Sequence, residues 1–170
     1  MPYNFCPQCA TRLSPRTLDG VERLVCSECG WVFYDNSLPC VGVLALRSGK
    51  VLLVKRALEP FKGYWDIPGG FLESGEHPEE GARREFLEET GLHIEPAELL
   101  GFFMDVYGEE EQPTLNVCYL ARLKGGEEKA GSDAADIGWF PLDALPERIA
   151  FNWEQEALAL LRERIRGADR

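Results

Sequence analysis

GFLESGEHPEEGARREFLEETGL, residues Gly70–Leu92, is the stretch on which the reading of this chain turns. A glycine-punctuated loop runs into a segment with helical spacing. Pro78 suits the first helical position, where its missing N–H costs nothing. Glu79 and Glu80 follow in the first turn, where the helix dipole favours negative charge. Gly91 stands where a left-handed C-terminal cap is expected. Ala82, Phe86 and Thr90, four residues apart, form an inward face.

The chemistry lies on another face. Glu85, Glu88 and Glu89 stand at i, i+3 and i+4, which gathers three carboxylates on about one helical turn. Like charges so close destabilise a helix by about 0.2–0.5 kcal/mol per pair. A hard divalent cation reverses the sign of that cost, because Mg²⁺ takes carboxylate oxygens and keeps waters that a phosphate can displace. A solvated acidic face is the other reading of the same spacing.

The whole stretch matches the Nudix box, G-x5-E-x7-R-E-U-x-E-E-x-G-U with U aliphatic or aromatic, at Gly70, Glu76, Arg84, Glu85, Phe86, Glu88, Glu89, Gly91 and Leu92. The chain therefore resembles a Nudix hydrolase over roughly residues 38 to 166. The resemblance implies an α/β fold, the Nudix α/β/α sandwich with a mixed sheet. It also implies Mg²⁺ or Mn²⁺ held by Glu85, Glu88 and Glu89 with the carbonyl of Gly70, and hydrolysis of a nucleoside diphosphate linked to another moiety. Glu76 and Arg84 match the pair that holds loop to helix, although Arg84 also reads as an ordinary surface arginine.

Working toward the amino terminus, Cys6-x2-Cys9 and Cys26-x2-Cys29 are two knuckles separated by 16 residues. That spacing is the range of a four-thiolate zinc site, closed and structural. Two disulfides are the competing reading, disfavoured in a reducing compartment. A module of about 30 residues has too little core to fold without its metal. The expected organisation is a zinc ribbon over residues 1–36 and a Nudix domain over 37–170. Cys40 and Cys118 sit in apolar, strand-like surroundings and read as small buried side chains.

Around the box, 39–47 and 50–56 are β-rich runs joined by Ser48-Gly49, a hairpin signal. The segments 98–107 and 114–123 read as an antiparallel pair, and 137–141 as a short strand. Asn152 reads as the cap of a final helix ended by Gly167. For a general base, carboxylates are better placed than the two histidines, His77 at the helix start and His93 after the cap. The resemblance implies either a glutamate of the box (Glu85, Glu88 or Glu89) or an acid in a later loop. The loop candidates are Asp133, Asp136 and Glu109–Glu111, and Asp133, six residues before Trp139, lies where several family members carry that acid. Substrate contacts are expected from Tyr64, Trp65 and Arg56. Core packing is the competing reading and the favoured one for Trp65, while Phe61, Phe103, Tyr107, Arg47 and Lys55 are softer candidates.

The formal charge of −11 on 170 residues argues against a nucleic-acid surface. No basic region followed by an apolar run opens the chain, and no apolar run approaches a membrane span. The protein is thus expected to be soluble and cytoplasmic, without a membrane or nucleic-acid partner. A homodimer is compatible with the family. A ribbon ahead of a Nudix domain resembles the NADH pyrophosphatases. Those carry a Ser-Gln-Pro-Trp-Pro-Phe segment beyond the box, where this chain has Glu-Glu-Glu-Gln-Pro-Thr from Glu109 to Thr114. The shorter layout, with Trp139-Phe140-Pro141-Leu142-Asp143 and Ile149-Ala150-Phe151 near the end, resembles Nudix enzymes acting on ADP-ribose or FAD, and those substrates are expected ahead of NADH. The alternatives are an (oxidised) nucleoside triphosphate pyrophosphohydrolase and a non-catalytic ligand sensor with a nucleic-acid-binding ribbon.

Overall fold

A computed structural model describes residues 3–131 and 133–168 and divides the chain into two compact units, residues 1–36 and 37–170. In the first unit, β1 (Ser14–Leu18) and β2 (Val21–Val25) form an antiparallel hairpin, and β3 (Val32–Phe33) pairs with β2. Asp19 and Gly20 make its two-residue turn with φ of 52° and 78°, the positive values a primed hairpin turn requires. The core of this unit is small: Cys6, Leu13 and Cys26, with Leu24 and Trp31 against them.

The second unit is built on a seven-stranded sheet. Its strands are β4 (Leu38–Arg47), β5 (Lys50–Arg56), β6 (Trp65–Asp66), β7 (Gly69–Phe71), β8 (Leu92–Tyr107), β9 (Gln112–Gly126) and β10 (Ala134–Pro141). The main order is β10-β5-β4-β9-β8, with β6 on β5 and β7 on β4. β4 and β9 run parallel and the other named pairs antiparallel, so the sheet is mixed. Two helices cover its faces, α1 (Pro78–Thr90) and α2 (Asn152–Ala168). The central strands are apolar on both sides. Val43, Ala45, Leu52 and Val54 pack with Ala82 and Phe86 of α1, while Leu44, Val51 and Leu53 pack with Ala157, Leu158 and Leu161 of α2. Period-2 alternation thus serves two cores at once. The expected α/β/α sandwich is the observed one.

Local boundaries differ in instructive ways. The hairpin expected at Ser48-Gly49 pairs only Leu46 with Val51 and Arg47 with Lys50. Beyond that point β4 leaves β5 and bonds to β9 and β7, a long-range pairing that sequence-local turn signals do not encode. β8 begins at Leu92, directly after α1, not at Glu98. It accommodates the longer register through irregularities, including one that spans Pro96 and Glu98. Asn152 lies inside α2 and is not its cap: the Asp105 carboxylate accepts the Trp153 N–H at 2.9 Å, and Glu154 accepts the Phe151 N–H at 3.3 Å. Gly167 also lies within the helix. No helix among the described residues is long and apolar enough to cross a membrane.

Candidate functional site

The loop ahead of α1 is shaped by what a glycine leaves out. A Cβ on Gly69 would sit 2.0 Å from the carbonyl oxygen of Val41, so only glycine lets β7 lie this close to β4. A Cβ on Gly70 would fall 2.5–2.8 Å from the carboxylate atoms of Glu85. Gly70 therefore opens a cradle in which an acidic group rests directly against the backbone. After the loop, His77 caps α1 by accepting the Glu79 N–H on Nδ1 at 3.3 Å. Gly91 closes the far end at φ 69°, its N–H donating to Leu87, as the sequence leads one to expect.

A solvated acidic face would leave Glu85, Glu88 and Glu89 all in water. Only Glu88 is: its side chain is 50% exposed, against 15% for Glu85, and Glu89 is 7% exposed as a residue. The Gly69 N–H donates to Glu89 Oε2 at 3.0 Å. Arg84 donates to Glu85 Oε1 at 2.7 Å and stands 3.6 Å from Glu88. The same guanidinium grips Glu76 with two bonds of 2.8 Å and reaches the Phe71 carbonyl at 3.2 Å. Arg84 is thus no ordinary surface arginine but ties the loop to the helix. Hydrogen bonding from Arg84 holds the Glu76 carboxyl down to about 2.

The electrostatics of the other two carboxylates run the opposite way. Burial, reinforced by Asp66, Asp133 and Glu85 nearby, pushes the Glu89 carboxyl well above its ordinary range. Burial also raises Glu85; Arg84 opposes the rise while Glu88 and Asp133 add to it. Excess negative charge concentrated in a partly desolvated site is what a divalent cation neutralises. The donor set is oxygen only, hard ligands of the kind Mg²⁺ and Mn²⁺ take. Together with the Gly70 cradle, it fits such an ion. Asp133 is exposed yet close enough to bear electrostatically on both Glu85 and Glu89. Asp136 and Glu109–Glu111 are exposed and contribute to neither shift.

A cavity opens beside this cluster, lined by Arg56, Gly70, Tyr107, Asn116 and Phe151 among others. Arg56 pairs with Asp66, donates to the Pro60 carbonyl at 2.7 Å and lies over the Phe151 ring. Tyr107 stacks on Phe151 with centroids 5.8 Å apart and meets Phe71 edge-on. Thr114 and Asn116, both buried on β9, supply polar groups, the Asn116 amide donating to the Thr114 hydroxyl at 3.1 Å. Of the substrate contacts expected from sequence, Arg56 lines this cavity and Tyr64 and Trp65 do not. Both pack on the α2-side core, Trp65 edge-on to Phe140 and Tyr64 against Phe61. Among the softer candidates, Tyr107 lines the cavity, Phe103 is core, and Arg47 stacks on Trp139 while pairing with Glu128. Thr114, Asn116 and Phe151 were not expected from sequence as substrate contacts. For Thr114 and Asn116 the only signal was strand alternation, which cannot say which neighbour faces a cavity.

In the ribbon unit the four sulfurs of Cys6, Cys9, Cys26 and Cys29 lie within 4.8 Å of one another. Adjacent sulfurs are 3.4–3.6 Å apart. A disulfide needs about 2.05 Å, so both expected knuckles hold free thiols. Tetrahedral Zn–S bonds of 2.3 Å place sulfurs ~3.8 Å apart, close to the observed edges. The two knuckles repeat one geometry: Ala10 and Gly30 donate to the carbonyls of Cys6 and Cys26 at 2.9 and 3.1 Å, with φ of 59° and 74°. Glu85, Glu88 and Glu89 do not form such a tight group among the described residues: Glu85 and Glu88 lie by Arg84, and Glu89 accepts the Gly69 N–H.

Comparison with known proteins agrees with both halves. A family model described as the NUDIX domain matches residues 37–161, and one described as Nudix N-terminal, a zinc ribbon, matches residues 4–35. An ADP-ribose pyrophosphatase of Methanocaldococcus jannaschii is 39% identical over 109 residues, 64% of each chain. A NAD-capped RNA hydrolase, NudC, of Chromobacterium violaceum is 33% identical over 145 residues, 85% of this chain and 52% of its own. The matches thus span between about half and two thirds of these relatives' lengths. The crystal structure of a NUDIX hydrolase from Nitrosomonas europaea superposes with a TM-score of 0.79 at 30% identity, covering 92% of this chain and 88% of that one.

Proposed function

The chain belongs to the NUDIX family, and on that premise we propose that it is a divalent-cation-dependent pyrophosphohydrolase. Its substrate is a nucleoside diphosphate linked to another moiety, with ADP-ribose first, FAD next and NADH behind them. The observation that carries this reading is the placement of Glu85 against the Gly70 backbone, at the edge of an aromatic-walled cavity. The relative named as an ADP-ribose pyrophosphatase supports placing ADP-ribose first.

In this reading Glu85, Glu88, Glu89 and the Gly70 carbonyl hold Mg²⁺ or Mn²⁺. When bound, the cation neutralises phosphate charge and makes water more acidic. Arg84 and Glu76 keep Glu85 turned toward Gly70, as supporting partners of ligands do elsewhere. Asp133 takes a proton from the attacking water. The water oxygen forms the new bond to phosphorus while the bond to the bridging anhydride oxygen breaks and that oxygen leaves with the other phosphate. Arg56, Tyr107, Phe151 and Asn116 seat the part of the substrate that does not react. In the ribbon, Cys6, Cys9, Cys26 and Cys29 hold a structural Zn²⁺ that leaves no open coordination position.

The test is a substrate panel with Mg²⁺ and with Mn²⁺, analysed by product. ADP-ribose should yield AMP and ribose 5-phosphate with the highest kcat/KM. Release of pyrophosphate from oxidised or ordinary nucleoside triphosphates at higher kcat/KM would favour the triphosphatase reading instead. No turnover of any diphosphate, with nucleotide binding intact, would favour a ligand sensor.

A further inference from the structure

Glu154 is a carboxyl that the proposed chemistry does not use, yet it is fully buried, at 0% exposure. Burying a carboxyl is costly unless its oxygens are satisfied. Here they are, by two elements at once: Oε1 accepts the Ile67 N–H at 3.0 Å and Oε2 the Phe151 N–H at 3.3 Å. The second bond is half of a capping box at the start of α2. The first has no such local purpose. It reaches 87 residues back along the chain to the turn that leads into β7.

That turn is stiff. Pro68 follows Ile67 with its φ locked by its ring, and its carbonyl accepts the Val43 N–H at 2.9 Å. Gly69 comes next and donates to Glu89 Oε2, and the Glu85 carboxylate lies against Gly70. Asp66, just before Ile67, carries the ion pair with the cavity residue Arg56. A shift of the Ile67 N–H would therefore move the donor that meets Glu89 and the cradle that meets Glu85. It would also move the anchor of Arg56.

We propose that Glu154 is a positioning residue: from the first turn of α2 it fixes the Ile67–Gly70 turn, and through that turn the orientation of Glu89 and Glu85. This rests on the reading of those carboxylates as cation ligands. Reach matters more than charge in this role. Consistent with that, burial and the neighbouring Asp66 push the Glu154 carboxyl well above its ordinary range, toward the neutral form that an amide imitates.

Two variants separate reach from charge. Glu154→Gln keeps an oxygen at the Ile67 N–H, gives up only the local bond from the Phe151 N–H, and cannot ionise. Glu154→Asp keeps the charge and withdraws the oxygen by one carbon. Leu161→Ala, in the α2 core, serves as a control for stability loss alone. Each full-length protein is measured for its melting temperature, for Mn²⁺ affinity by titration without substrate, and for kcat and KM on ADP-ribose. Glu154→Asp is expected to weaken Mn²⁺ binding and lower kcat by about 10–100-fold with KM little changed. Glu154→Gln should stay within ~3-fold of wild type, well inside the range that loss of a supporting partner produces. Leu161→Ala should lose melting temperature while keeping Mn²⁺ affinity and kcat. The inference is overturned if Glu154→Asp matches wild type in Mn²⁺ affinity and kcat, or if Glu154→Gln is the more damaging change. It is equally overturned if Leu161→Ala reproduces the Glu154→Asp losses. Mn²⁺ affinity unchanged in Glu89→Gln would instead overturn the cation reading, and this inference with it.

Discussion

The ribbon and the main unit each gather acidic side chains, and they do so in opposite ways. In the ribbon the four thiols stand within 4.8 Å of one another over a core of three buried residues. In the main unit two substantial cores flank the sheet, while Glu85 and Glu88 lie by Arg84 and Glu89 takes the Gly69 N–H. The ribbon has a small core beside its thiols, so under the proposed function metal would supply much of its folding energy. The main unit folds on its apolar cores, and under the same reading its fold supplies the cation site. A structural ion is thus enclosed by its ligands, whereas a catalytic one is offered a partial set with room for substrate.

The sharpest way to break this contrast is to remove a thiol. Cys26→Ser should cost the ribbon on the order of 10 kcal/mol of metal-linked stability. Amide exchange over residues 4–35 should then become unprotected, while the melting of unit 37–170 stays where it was. Next in size, Glu89→Gln should leave the main unit folded and lower kcat by ~10²–10⁴-fold, the scale of losing an essential acid–base or ligand group. A melting scan beside steady-state kinetics checks both halves of that statement. Arg84→Gln removes the bonds to Glu76 and Glu85. About 10–100-fold in kcat should be lost, with Mn²⁺ affinity falling in parallel.

A pH titration sharpens the comparison further. Burial raises the folded-state values of Glu85, Glu89 and Glu154 above 4.5. The folded protein then binds these protons more tightly than the unfolded chain does. Their contribution to stability is complete below the unfolded value and is lost as pH rises through the folded ones. Glu76, held down to about 2, is ionised in both states above 4.5 and does not interfere. The metal-stripped main unit should therefore melt lower at about pH 8 than at about pH 5. Added Mn²⁺, which competes with the Glu85 and Glu89 protons, should bind more tightly at the higher pH. A melting temperature that rises with pH in metal-stripped protein would contradict this. The smallest effect is expected in the ribbon: Ala10 sits at φ 59°, so Ala10→Gly should stabilise it by about 0.5–1 kcal/mol. Gly30→Ala should act with the opposite sign, both read by chelator titration.

The parts legible from sequence are those whose chemistry is local. One helical turn sets Glu85, Glu88 and Glu89 together, and a two-residue gap sets each cysteine pair. His77 and Gly91 begin and end α1 as their own backbone preferences dictate. What was not legible depends on partners far along the chain. Glu154 reads as an ordinary first-turn glutamate until Ile67 is seen to need an acceptor. Trp65 packs on the core, the reading favoured for it from sequence. Tyr64 looks like a stacking residue because it stands beside the Pro68-Gly69-Gly70 entry, but the wall of the cavity comes from Tyr107 and Phe151. The parallel pairing of β4 with β9 likewise has no local signal, since it joins segments some seventy residues apart.

The most direct test of the cation site is an anomalous-scattering map from crystals soaked with Mn²⁺ and a slowly hydrolysed ADP-ribose analogue. The proposed function predicts one manganese peak bonded to Glu85, Glu88 and Glu89 and to a phosphate oxygen of the analogue. Manganese bound elsewhere, with those carboxylates turned to bulk water, would contradict it.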